Sequence, residues 1–242
     1  MCTVSFISLN NKFVITSSRD ENILRPVAFA PQEEIINGCK IIYPKDPKAG
    51  GTWFAINQSG AVTVLLNGAF EKHIFQNNYS ISRGLILLDI ISKVTPLFHF
   101  EKMDLETIEP FTLILFEQSK LVELRWDGNK KYKTELNSNK NYIWSSATLY
   151  SKEAVKKRER WFAEYLSGSN QINEKTIIDF HSNNHNDSEN GFIINRANTL
   201  KTFSITQALI EENAVSLNHI DLLNQKEFLI TADTSRFHTI IQ

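Results

Sequence analysis

The chain opens with period-two alternation: Val4 and Phe6 are set against Ser5 and Ser8, which predicts a strand over 3–9. Asn10-Asn11 marks a turn, and the strand pattern resumes over 12–17. A second hairpin is expected over 52–57 and 61–67, joined around Gln58-Ser59-Gly60. Residues 82–94 carry a helical period, with Leu85, Leu88 and Ile91 beside Ile86 and Ile90 forming a broad apolar face. Three strands follow at 112–116, 120–126 and 132–136, the last turn at Asp127-Gly128-Asn129. The most regular helix lies over 152–166. Ser151 is placed to cap it, Ser167-Gly168 stops it, and Ala154, Val155, Trp161, Phe162, Tyr165 and Leu166 form its stripe. A shorter helix is expected over 174–180, an Asn-rich surface loop over 181–191, and strands at 199–210, 214–223 and 227–232. The pattern predicts one α+β domain over 1–242, with strands at both ends and helices between.

Composition narrows the possibilities. Lys+Arg number 26 against 27 Asp+Glu, a formal net of −1, so the chain lacks the basic excess of a nucleic-acid binder. Hydrophobic residues at 42% and 16 Phe supply enough bulk for a core and exclude wholesale disorder. The longest apolar run, 84–94, is broken by Asp89 and Lys93, so no integral membrane segment is expected, nor is a signal peptide. Two cysteines, Cys2 and Cys39, make neither a disulfide framework nor a metal site, which points to a reducing, cytoplasmic setting. Cys39 beside Ile41-Ile42 reads as a small buried hydrophobe.

Cys2 is the position with the most chemistry. Removal of Met1 would join a thiol and a free α-amine on one residue. The amine's ordinary pKa of roughly 7.7–8.0 lies near the thiol's, about 8.5, so an uncharged amine can act as base for its own thiol. Ser18-Arg19-Asp20-Glu21 ends the second strand, and antiparallel pairing returns it beside Cys2. A guanidinium there favours thiolate and can orient a carbonyl, and a carboxylate can accept from the amine or the arginine. A charged turn with a surface ion pair is the plainer reading.

Taken together, Met1-Cys2-Thr3-Val4, Ser18-Arg19-Asp20-Glu21 and Gly50-Gly51-Thr52-Trp53 resemble the NRDE family, also called transport and Golgi organisation 2. The resemblance covers the first 70 residues well and implies an N-terminal-nucleophile hydrolase fold, a four-layer αββα sandwich with two antiparallel sheets. Wider similarity to the choloylglycine hydrolase and penicillin V acylase group implies the roles: Cys2 as nucleophile, Arg19 and Asp20 beside it, and Asn67 of Leu66-Asn67-Gly68 in the oxyanion hole. Two positions depart from that group. Ser146 stands where a second asparagine is expected, and Phe203 replaces an arginine, for which Arg196 is a spatial candidate.

These readings lead to an amidohydrolase that cleaves a small amide through a thioester on Cys2. The alternative, which the family resemblance implies, is a carrier of an apolar molecule, such as haem or a lipid, in a cleft bordered by Phe203 and Trp53, with Ser146 counted beside them as a candidate binding residue. A structural protein with neither property is the third. No cofactor is implied. The expected partner is a small-molecule amide or an apolar ligand, without nucleic acid. His181 and His185 have the spacing of helical metal ligands but lie in an Asn-rich run without a third ligand, and His73, His99, His219 and His238 stand alone. Lys156-Lys157-Arg158 and Arg160 read as the solvated face of their helix.

Overall fold

The computed structural model describes residues 2–169, 171–197 and 199–235. The side chain of Cys2, together with Met1 and His238, lies outside the described residues. One antiparallel sheet runs in the order β10 (Tyr142–Ser145), β1 (Cys2–Leu9), β2 (Lys12–Asn22), β12 (Leu200–Ile210), β13 (Ala214–Asp221), β14 (Lys226–Asp233), and β11 (Asn195–Arg196) pairs with β12. The second runs in sequence order: β3 (Phe29–Ile36), β4 (Cys39–Lys45), β5 (Phe54–Asn57), β6 (Val62–Asn67), β7 (Phe111–Glu117), β8 (Lys120–Trp126) and β9 (Lys131–Leu136).

Strand alternation builds the layers. Phe6 points between the sheets, its ring 5.9 Å from that of Phe116, and Phe13 meets the same ring at 4.8 Å. Ile7 and Val14 turn the other way, onto Phe162, Ile177, Phe180 and Phe192. Helices α3 (Lys152–Gly168) and α4 (Glu174–His181) therefore cover the first sheet. Helix α1 (Arg83–Ile91) packs on β5 and β6, and α2 (Pro96–Lys102) on α1, so the second sheet is covered too. The result is helix, sheet, sheet, helix. Each fully buried Phe or Ile contributes roughly 1.5–3 kcal/mol relative to exposure, so a sheet apolar on both faces gains only when both are covered.

The hairpins, the meander and the longer helices sit where the alternation predicts; Ser151 caps α3 as expected, and Ser82 caps α1. Three expectations are corrected. The second strand continues to Asn22, so Ser18-Arg19-Asp20-Glu21 is strand and not turn, because β12 pairs with it as far as Leu200. Arg158 is fully buried, on the stripe with Ala154 and Phe162 at four-residue intervals, so it is no part of a solvated face. His181 closes α4 and is fully buried rather than standing in a loop. Strands β3, β4, β10 and β11 and helix α2 were unanticipated. β3 exposes most of its residues, and β10 and β11 are short.

Gly50-Gly51-Thr52-Trp53 has a packing reason. Gly50 adopts φ +71°, and a Cβ on Gly51 would stand 2.4 Å from the carbonyl carbon of Gly84 in the first turn of α1. Two backbones meet there, with Thr52 N donating to Gly84 O at 3.3 Å. The Thr52 hydroxyl lies 2.7 Å from Pro44 O, tying the segment to the end of β4. A Gly51→Ala change forces helix and strand apart. It should lower unfolding free energy by about 3 kcal/mol, read from denaturant midpoints.

Candidate active site

The β1–β2 register sets Cys2 opposite Arg19. Because side chains alternate, Arg19 and Asp20 leave the sheet on opposite faces. Arg19 points between the sheets, 3% exposed, donating to Asp46 at 2.6 Å with its guanidinium 4.2 Å from the Trp53 ring centre. Arg25 donates to both Asp46 oxygens at 2.9 and 3.1 Å, and the Lys48 and Ala49 amides close the other side. Burial pushes the Asp46 carboxyl up, but the Arg25 bonds, the Ala49 N–H and the Arg25 and Arg19 charges hold it below the usual range.

Arg19, Trp53 and Asn67 line one cavity of about 600 Å³, together with Arg25, Asp46 and Thr148. Trp53 is buried, and its indole N–H has no hydrogen-bond partner among the described residues. Asn67 ends β6, where Gly68 at φ +79° turns the chain and passes Thr148 too closely for a Cβ, which would meet Thr148 Cγ2 at 2.8 Å. Ser146 is fully buried, and its hydroxyl donates to the Asn67 backbone carbonyl at 2.9 Å. It braces the turn that carries Asn67, and is not among the residues lining the cavity. Phe203 occupies a bulge in β12, between Thr202 opposite Asp20 and Ser204 opposite Arg19. Its ring centre lies 5.8 Å from the Arg19 guanidinium, so the apolar side chain packs beside the cation.

Asp20 belongs to a second cluster beneath the first sheet. It accepts from Tyr150 at 2.5 Å and Thr202 at 2.7 Å. Burial pushes its carboxyl above the ordinary range, with the Arg158 charge opposing, and Tyr150 is held well above its usual value as a protonated donor. The Arg158 guanidinium stacks 3.5 Å from the Tyr150 ring centre and donates to Thr3, next to Cys2, and to Gly191 O. His181 sits between Ser5 and Ser18, its ring nitrogens 2.8 Å from each hydroxyl. Burial, and then Arg158, press its pKa down to about 3. His185 instead stacks on Trp161 at 4.5 Å, and no group of three metal-ligating residues occurs among the described residues. Arg196 donates to Glu189 O and Leu149 O and stands over Tyr150, on the underside with Asp20. Of the residues singled out in the sequence, the structure brings together Arg19, Trp53 and Asn67 on one cavity, sets Phe203 beside Arg19, and separates Asp20 and Ser146 from it. Asp46, Arg25, Tyr150 and Arg158 were missed. Only Arg158 had a signal, its place on the apolar stripe of α3.

Two antiparallel sheets faced on both sides by helices form the four-layer fold of the N-terminal-nucleophile hydrolases. The C2A mutant of conjugated bile acid hydrolase from Clostridium perfringens superposes with a TM-score of 0.57 at 8% identity, covering 97% of this chain and 98% of its own. The Caenorhabditis elegans N-acylethanolamine-hydrolyzing acid amidase ortholog gives 0.61 at 10% identity, with 85% and 92% covered. The sequence model of Transport and Golgi organisation 2 matches residues 1–226, and the chain belongs to that family. Comparison with curated proteins gives no match. Among the described residues no helix is long and apolar enough to cross a membrane.

Two buried histidines make stability depend on pH. His219, 2.8 Å from the Thr206 hydroxyl, has a pKa pressed to about 4 by burial, with Asp221 opposing and Arg19 adding to the fall. Both folded values lie below the unfolded value of about 6.5, so this contribution is complete above pH 6.5 and is lost as pH falls toward 4 and then 3. Each histidine should add a slope of roughly 1.4 kcal/mol per pH unit in that window. Urea unfolding of His219→Asn between pH 6.5 and 4.5 should show a slope shallower by about that amount.

Proposed function

We propose that this protein is an N-terminal-cysteine amidohydrolase acting on a small amide. The observation that carries the reading is the β1–β2 register, which sets Arg19 opposite Cys2 at a cavity also lined by Asn67 and Trp53. After loss of Met1, the Cys2 thiol gives its proton to the α-amine and the sulfur attacks the amide carbon. Asn67, whose side-chain amide has no bond to another described residue and borders the cavity, donates to the oxyanion. The α-ammonium protonates the leaving nitrogen, and the C–N bond breaks to leave a thioester on Cys2. Water, deprotonated by the same amine, then attacks that carbon and releases the acid and the thiol. Arg19, fixed by Asp46 and Trp53, favours thiolate and orients the carbonyl. Asp20 acts from beneath, setting the protonation of the amine. Two similar structures, a conjugated bile acid hydrolase and an N-acylethanolamine-hydrolyzing acid amidase, bear names consistent with amide cleavage. We place the protein in the cytoplasm, as its sparse cysteines suggest.

A second reading has its own observation: Phe203 packs beside Arg19 where a cation is expected, which suits a carrier of an apolar molecule. An apolar compound that co-purifies with wild type and equally with Cys2→Ala would favour it.

On the hydrolase reading, Cys2→Ala should abolish turnover in an amide screen while leaving the melting temperature within a few degrees. Asn67→Ala should lower kcat by about 10²–10³ with little change in KM. Iodoacetamide should label Cys2 rapidly well below pH 8.5, as followed by intact mass. Turnover retained in Cys2→Ala would eliminate the mechanism.

A further inference from the structure

The mouth of the 600 Å³ cavity combines two surface features that the proposed chemistry does not use. The first is apolar. Ile74 and Leu24 are 88% and 87% exposed, and Phe75, itself a lining residue, is 67% exposed. Each is at or beside a residue of the cavity wall: Leu24 precedes Arg25, Ile74 lies between His73 and Phe75, and exposed Ile81 precedes Ser82. Single exposed apolar side chains are ordinary on a protein surface, but several flanking one opening mark an interaction site. The second feature is charge. Five cations line the cavity (Arg19, Arg25, Lys48, Lys72 and Arg83) against the carboxylates of Glu21, Asp46 and Glu109. Those three are engaged: Asp46 with Arg19 and Arg25, Glu21 near both, and Glu109 with Arg83 and His73. Exposed Lys48 and Lys72 make no ion pair among the described residues, which leaves the rim positive.

We propose that this rim is a docking surface for an anionic lipid bilayer. Leu24, Ile74, Phe75 and Ile81 enter the interface between headgroups and acyl chains, while Lys48 and Lys72 stay with the phosphates and carboxylates of the lipid surface. The arrangement fits a bilayer better than a protein partner. The apolar residues come from three separate irregular segments, at 24, 74–75 and 81, with Gln76, Asn77 and Asn78 exposed among them, whereas a protein interface needs a continuous packed centre. A bilayer takes up separate protruding side chains one by one. Docking in this orientation turns the cavity mouth toward the lipid, so an amphiphilic molecule passes between bilayer and cavity without crossing water. The surface does not depend on Cys2 chemistry.

The test is flotation of the full chain with vesicles of phosphatidylcholine alone and with about 30% phosphatidylserine. Wild type should float with the anionic vesicles and not the neutral ones, and raised salt should weaken binding. Lys48→Glu/Lys72→Glu and Leu24→Ser/Ile74→Ser/Phe75→Ser should each lower partitioning by about tenfold or more, with unchanged melting temperature because every altered side chain is exposed. Phe75→Trp should show blue-shifted emission on the same vesicles, reporting insertion. Failure to float, or floating untouched by the serine variant, would overturn the proposal. So would self-association of wild type that the serine variant abolishes, since the rim would then be a protein interface. Cys2→Ala should float like wild type, which separates this surface from the hydrolase reading.

Discussion

A guanidinium held between two sheets organises this molecule. Arg19 comes from the middle of the first sheet, and Asp46 follows the end of β4 in the second. An ion pair with so little water around it is costly to desolvate and repays that cost only with further bonds. Here Arg25, two backbone amides and the Trp53 face supply them. The pair therefore holds the first strand pair, the loop 46–53 and the Trp53 wall in one arrangement, and the cavity follows from it. The close backbone contact of Gly51 with Gly84 brings α1 to the same place.

The underside of the first sheet repeats the arrangement with different parts. Tyr150, Thr202 and Arg158 surround Asp20, while Ser5 and Ser18 grip His181. These polar groups lie in a layer otherwise filled by Phe162, Phe180 and Phe192. In such surroundings each must be bonded or it destabilises the fold. His181 meets that demand by staying neutral between its two hydroxyls, and Tyr150 by donating to Asp20. Arg158 cannot, so it spends its donors on Thr3, Asn190 O and Gly191 O. The opening of β1 is thus held from beneath through Thr3.

Residues adjacent in sequence serve different layers here. Arg19 and Asp20 are neighbours, yet one meets Trp53 between the sheets and the other meets Tyr150 under the helices. Alternation sends Thr202 to Asp20 beneath the sheet, and the bulge at Phe203 makes Ser204 the register partner of Arg19 while the Phe203 ring still lies near its guanidinium. Ser146 shows the same separation of motif and role, since its hydroxyl supports the carbonyl of Asn67.

Periodicity made most strands and three of the helices legible, because the apolar stripes of 3–9, 61–67, 82–94 and 152–166 are local properties of the chain. Short motifs made the fold legible through Cys2, the Arg19-Asp20 pair and the Gly-Gly-Thr-Trp segment. Edge strand β3 and short β10 escaped, since few of their residues are buried and alternation hardly shows. Strand identity and the facing of Cys2 and Arg19 could be read from local spacing. Asp46 as the arginine's partner, Arg158 as a buried cation, and the shared cavity of Arg19 and Asn67 could not. They depend on contacts between segments distant in sequence, and such contacts exist only once both faces of each sheet are covered.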